Sequence, residues 1–110
     1  MNARTGCTLA SAVEVAGTSE SRRRGLLGRD SLDPSAALII APCSAIHTFF
    51  MRFAIDAVFV DRGGRVLKVT EHLKPWRIAM SLGAFAVIEL NAGSVARGDG
   101  AKAGDRLYLD

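Results

Sequence analysis

The sequence predicts an α+β fold that is mostly β, a compact antiparallel sheet or barrel of short strands with one or two short helices. Two observations lead there. Apolar residues come in short alternating or continuous runs, and Gly, Pro and Asn interrupt them at intervals of about eight to twelve residues. There is also no internal repeat and no low-complexity segment. A chain of 110 residues, 49% hydrophobic and 23% charged, is one globular domain's worth, burying roughly 65% of its unfolded surface. That domain is expected over residues 8–110, behind a loose N-terminus of residues 1–7.

The elements follow in order. Residues 8–16 alternate, with Leu9, Val13 and Val15 on one face and Ala10, Ala12 and Glu14 on the other, a half-buried strand. Gly17 and Thr18 end it. Thr18 is placed to cap a short helix through SESRRRGLLGR, with Glu20 in the first turn, Leu26 and Leu27 as anchors and Gly28 as the stop. After Pro34 the run AALIIA, residues 36–41, reads as a strand covered on both faces, and Pro42-Cys43-Ser44 as a corner.

Residues 46–51 read as another extended segment, with His47, Phe49 and Met51 on one side and Ile46, Thr48 and Phe50 on the other. Residues 57–61 and 65–70 flank Arg62-Gly63-Gly64. That is the clearest local signal in the chain, because glycines supply the positive φ angles that tight hairpins need. Residues 71–77 (EHLKPWR) read as a loop, 84–90 as a strand apolar on both faces until Glu89, and Asn91-Ala92-Gly93 as a turn. Ser94 is placed to cap one helical turn through Arg97, and residues 106–109 (RLYL) close the chain as a strand.

Composition narrows the function classes. Net charge is +3, with 14 basic side chains set against 11 acidic ones, too small and dispersed an excess for a nucleic-acid partner. The one basic run, Arg22-Arg23-Arg24 with Arg29 nearby, fits a solvated helix face better than a polyanion or membrane patch. Cys7 and Cys43 are too few for a disulfide framework and have no zinc or redox spacing. No window approaches the ~18 apolar residues of a membrane span, and the N-terminus has no signal-peptide core. The expectation is therefore a cytoplasmic, bacterial-type protein without cofactor, metal or membrane attachment, secreted only if a leader has been removed.

The blocks VEVAGTSESRRRGLLGRDSL, HTFFMRFAIDAVFVDRGGRVL, KPWR, IELNAG and AGDRLYL, in that order and spacing, resemble the successive blocks of the family named domain of unknown function 192. The resemblance covers the chain from about Val13 to its end, and the central block is the most specific. It implies a single compact β-rich domain with short helices, found alone or behind a secretion signal, and it brings no established reaction. One departure is visible: the family pattern usually has proline where this chain has Ala54. That removes a fixed φ before Asp56 and no functional group.

The candidate site residues are Arg52, Asp56, Trp76, Arg77, Glu89, His47 and Lys74. Asp56 and Arg52 stand four apart among Phe50, Phe53, Ile55 and Val58, and a carboxylate in apolar surroundings needs a charged or hydrogen-bonding partner. The ordinary reading is a structural pair or an Asp accepting backbone N–H bonds at a turn; the functional one is a polar centre at the mouth of a pocket. Cys43 and His47, with Thr48, could supply half of a metal site or a thiol nucleophile, but the remaining ligands and the orienting group are missing from the sequence. A core-facing Cys and a hydrogen-bonded His are more ordinary.

Lys74-Pro75-Trp76-Arg77 either offers an exposed Trp between cations, suited to a sugar ring or an anionic group, or is a loop pinned by its Trp; pinning is the more ordinary reading. Glu89, in an apolar strand, wants a partner such as Arg52, Lys74 or Arg77. Three functions follow. The first is a non-enzymatic binding module for a carbohydrate or other polar small molecule. The second is a hydrolase using Asp56 and Glu89, and the third an accessory protein that binds another protein through a sheet edge.

Overall fold

A computed structural model describes residues 12–16, 32, 36–98 and 102–107. Within them lie a five-stranded sheet and a separate two-stranded ribbon. The strands are β1 (Ala12–Ala16), β2 (Ala36–Ile40), β3 (Ala45–His47), β4 (Ile55–Val60), β5 (Val66–Leu73), β6 (Ile78–Met80) and β7 (Ala86–Asn91), followed by the short helix α1 (Ser94–Gly98). The large sheet runs β1-β2-β7-β4-β5, and β3 pairs with β6 to make the ribbon. Every pairing is antiparallel except β1 with β2.

The fold is thus α+β and mostly β, as the sequence predicts, but the barrel alternative is corrected. The end strands β1 and β5 are not hydrogen-bonded to each other, so the sheet stays open. Barrel closure would require those two edges to meet.

Period-two alternation explains why both faces of the sheet are covered at its centre, while Val13 and Val15 of the edge strand β1 stay 44% and 59% exposed. In β4 every residue is buried, and its two sets of side chains enter two different cores. Ile55, Ala57 and Phe59 join Leu38, Ile40, Val87 and Leu73, with Ile46, Met51 and Ala79 from the ribbon region laid over them. Val58 and Val60 join Ala37, Val66, Ala86, Leu90 and Val95, the last from α1. Phe59, Ile55 and Leu90 have no solvent exposure, and burial of each such side chain contributes about 1.5–3 kcal/mol.

The hairpin between β4 and β5 forms where the glycines place it. Asp61 Oδ1 accepts the N–H groups of Gly63 at 2.9 Å and Arg65 at 3.0 Å, and Gly64 takes φ 83°. A Cβ at Gly64 would collide with the Leu107 carbonyl oxygen, because Leu107 N–H donates back to Gly64 O at 2.8 Å.

Several boundaries move. The extended segment expected at 46–51 ends at His47, and the chain then turns through Phe49 and Phe50. The loop expected at 71–77 is shorter, since β5 continues to Leu73 and β6, which has no strong sequence signal, begins at Ile78. Of the closing strand expected at 106–109, Arg106 bridges Arg65, and residues 108–109 lie outside the described residues. Residues 1–7, the helix around Leu26 and Leu27, and the start of the strand expected at 8–16 lie outside the described residues.

Candidate functional site

The ribbon sorts its side chains by alternation. Ile46 and Ala79, paired across it, are 8% and 6% exposed and face the core. Their neighbours Ala45, His47, Ile78 and Met80 face outward, with His47 opposite Ile78 and Ala45 opposite Met80. At one end of this outer face two turns meet, and Thr48 joins them. Thr48 is fully buried. Its hydroxyl donates to Lys74 O at 2.6 Å and accepts from Arg77 N–H at 2.9 Å. Its own N–H donates to Arg77 O, and its carbonyl accepts from Trp76 and Met51 N–H. One side chain and its peptide groups therefore satisfy both turns, which a buried polar group must do to avoid a desolvation cost.

The turns so held present rings to solvent. Phe50 has φ 65° and Trp76 φ 66°, both in the left-handed region that bulky residues rarely occupy. Phe50 is 72% and Trp76 55% exposed, and their rings lie 4.7 Å apart. Phe49 stacks on Trp76 at 5.7 Å and lies tilted against His47 at 5.1 Å. Lys74 and Arg77 flank Trp76 and are exposed, as is Arg52; the Arg77 guanidinium reaches back to Trp76 O at 3.4 Å. Trp76 is 55% exposed and packs on the rings of the facing turn, while the hydrogen bonds that join the two turns run through Thr48. Ile78, Met80 and Leu82, at 63%, 53% and 92% exposed, continue the apolar surface beyond the rings.

The carboxylates go elsewhere. Asp56 is fully buried. Its Oδ1 accepts His72 N–H at 2.9 Å, and its Oδ2 accepts Gly93 N–H at 3.1 Å and Val95 N–H at 3.0 Å. The β4–β5 register shifts between Ile55 and Ala57, so that Glu71 and His72 together oppose Asp56, a bulge in β5. His72, at φ 52°, turns its N–H away from the ladder and toward the carboxylate. Asp56 thereby staples the bulge to the turn that starts α1, in the manner of an Asp bonded to backbone amides, and its charge is met by those amides.

Glu89 is 3% exposed and pairs across the sheet with Leu38 and Ala57. Ala57 belongs to the first core, whereas Leu90, opposite Asp56, belongs to the second. The two carboxylates consequently point to opposite faces of the sheet. A pair acting across one substrate bond needs a shared cleft, and the sheet lies between these two. Cys43 is half-buried and its Sγ donates to Ala45 O at 3.1 Å. Among the described residues no three His, Cys, Asp or Glu side chains gather as a metal site would require.

The candidate residues therefore divide into His47, Lys74, Trp76 and Arg77 on the surface of the ribbon region, Arg52 exposed in the bend that follows Met51, and Asp56 and Glu89 in the interior. Sequence reasoning did not place Phe49, Phe50, Ile78 and Met80 in this surface. The adjacent Phe pair and the alternation of residues 78–80 were its available signals.

A family model described as uncharacterized ACR, domain of unknown function 192, matches residues 1–109. A UPF0127 protein of Pyrococcus horikoshii is 54% identical over 35 residues, a match spanning 32% of this chain and 30% of that protein. Two crystal structures have the same fold. One, described as a candidate transcription regulator from Sinorhizobium meliloti, has a TM-score of 0.79 and 27% identity over 87% of this chain and 79% of its own. The other, a protein of unknown function from Novosphingobium aromaticivorans, has a TM-score of 0.79 and 27% identity over 88% of this chain and 74% of its own.

Proposed function

The chain belongs to the domain of unknown function 192 family, which supplies a fold and no reaction, and from that premise we propose a non-enzymatic binding module whose ligand surface is the ring cluster of the two turns. Its ligand is a carbohydrate or another polar small molecule with a flat apolar face. The observation that carries this reading is the pairing of Phe50 and Trp76, each exposed and each at positive φ. Strained, bulky residues persist where the surrounding structure over-determines them, and such places concentrate at ligand sites. The rings give the face of a sugar something to stack on, and His47, Lys74 and Arg77 supply donors around the rim, with a preference for acidic groups.

Trp76 is the only tryptophan in the chain, so tryptophan emission, excited beyond the tyrosine band, reports on this surface alone. Titration with neutral and acidic sugars is expected to give a saturable change. Phe50→Ala is expected to weaken binding about tenfold, the loss of roughly one ring contact. A chain that shows no saturable change with any of these ligands would sink the reading.

A second reading rests on Ile78, Met80 and Leu82, whose exposure continues the apolar surface past the rings. A protein partner covering that strip would make this an accessory protein, since exposed apolar patches of this kind mark interaction sites. The placement of Asp56 and Glu89 on opposite faces supports no hydrolase.

A further inference from the structure

The hairpin tip and the turn at residues 81–84 stand side by side and leave a groove of about 430 Å³ lined by Asp61, Arg62, Gly63, Gly83, Ala84 and Phe85. None of these residues belongs to the ring cluster. The walls are fastened to one another: Phe85 N–H donates to Val60 O at 2.8 Å, and Cys43 N–H donates to Phe85 O at 2.8 Å. Gly83, at φ 85°, carries the second wall round with no side chain above it. The volume falls within the range of ~300–1,000 Å³ typical of small-molecule sites.

One guanidinium, that of Arg62, lines this groove, and a second, that of Arg106, lies beside its Gly63 wall. Arg62 lies over the Phe85 ring with 4.3 Å between its Cζ and the ring centroid. A guanidinium fixed in this way loses less freedom when it takes up an anion. Arg106 Nη2 lies 3.3 Å from where a Cβ on Gly63 would stand, so the bare glycine is what lets a second guanidinium lie against this lining residue. Arg65 brings a third exposed cation beside Arg106 through their bridge. The acid in the lining, Asp61, turns its Oδ1 to the backbone N–H groups of Gly63 and Arg65. The hairpin itself thus takes up part of the negative charge that would otherwise oppose an anion.

We propose that this groove is a binding site for a phosphate-bearing small molecule, with Arg62 and Arg106 gripping the phosphoryl oxygens. Planar guanidinium forks approaching from two directions suit a tetrahedral group with several charged oxygens better than a single carboxylate, which one fork already satisfies.

The test is a titration of the folded chain with pyrophosphate, followed by backbone amide NMR, at ionic strength held constant with chloride. The amides of Gly63, Gly83 and Ala84 are expected to shift saturably. Arg62→Gln and Arg106→Gln are each expected to weaken binding tenfold or more while the chain stays folded, Arg62→Gln losing a few degrees of melting temperature with its contact to the Phe85 ring. Gly63→Ala, which crowds Arg106 Nη2 and leaves every charge in place, is expected to weaken it several-fold. Trp76→Ala is expected to leave it unchanged. Shifts that never saturate, that chloride alone reproduces, or that survive in the Arg62→Gln, Arg106→Gln double variant would overturn the proposal.

Discussion

Asp56 and Thr48 are both fully buried, both gather backbone groups from separated segments, and both stand beside non-glycine residues at positive φ. What they hold in place differs. Asp56 draws in His72 N–H from the bulge and two amides from the start of α1, and the product is continuity between the sheet and the helix. Thr48 locks the two turns around it, and the product is a pair of rings held out in water. Left-handed backbone costs roughly 1 kcal/mol or more for each such residue. At His72 that cost is offset inside the fold, by a charge-assisted hydrogen bond. At Phe50 and Trp76 burial returns little, because the rings remain exposed. Strain that serves packing and strain that serves display can thus be separated by substitution.

The largest expected effect is at Asp56. Asp56→Ala leaves three backbone N–H groups without their carboxylate, and a loss of about 3–5 kcal/mol follows from stranding buried polar groups of this kind. For a domain of this size that lowers the melting temperature by roughly 15–30 °C, measurable by circular dichroism. Asp56→Asn restores one acceptor but turns an amide NH₂ toward other donors, and a loss of about 2 kcal/mol or more is expected. A change below ~1 kcal/mol in both variants would mean that the carboxylate is not the staple its hydrogen bonds describe.

Thr48→Val comes next. The substitution keeps the volume and removes the hydroxyl, leaving Arg77 N–H and Lys74 O without it, for a loss of about 1–3 kcal/mol. The comparison is sharpened by a second readout. Loosened turns should shift and broaden Trp76 emission and weaken sugar binding, whereas Asp56→Asn, measured at a temperature where it is folded, should leave the emission as it is. Equal effects of the two variants on Trp76 would erase the distinction between the regions.

Legibility in the sequence divides along the same line. The hairpin was readable because Gly63 and Gly64 carry their conformational meaning in their identity, and the strands β2 and β7 because continuous apolar runs between turn residues have few other uses. Asp56 was readable as a polar group needing partners, including the option of backbone amides at a turn. Its separation from Glu89 was not, because the face a residue occupies follows from pairing register, and a bulge at His72 resets that register without leaving a composition signal. Nothing in the residue types Phe, His and Trp announces positive φ at positions 50, 72 and 76, since tertiary hydrogen bonds impose it. Display of the ring cluster was therefore hidden for the same physical reason that the open sheet was: both depend on which segments meet, and β1 lying parallel to β2 is as silent locally as Thr48 meeting Arg77.

The smallest effect gives the sharpest comparison. Glycine adopts φ near 60° without the Cβ clash, so His72→Gly is expected to stabilise the chain by about 0.5–1 kcal/mol while the His72 N–H bond to Asp56 remains. Phe50→Gly relieves the same backbone strain but also removes the ring that touches Trp76 at 4.7 Å, a contact worth about 0.5–1.5 kcal/mol, so its net stability change should lie near zero. The binding readout then reverses the order. His72→Gly should leave fluorescence titrations with sugar unchanged, and Phe50→Gly should weaken them about tenfold or more. If Phe50→Gly binds as the parent does, the left-handed turn at Phe50 is a packing accident comparable to the bulge. If it is stable and inert, the strain there is retained for the ring it presents, because a less costly backbone with the same fold lies one substitution away.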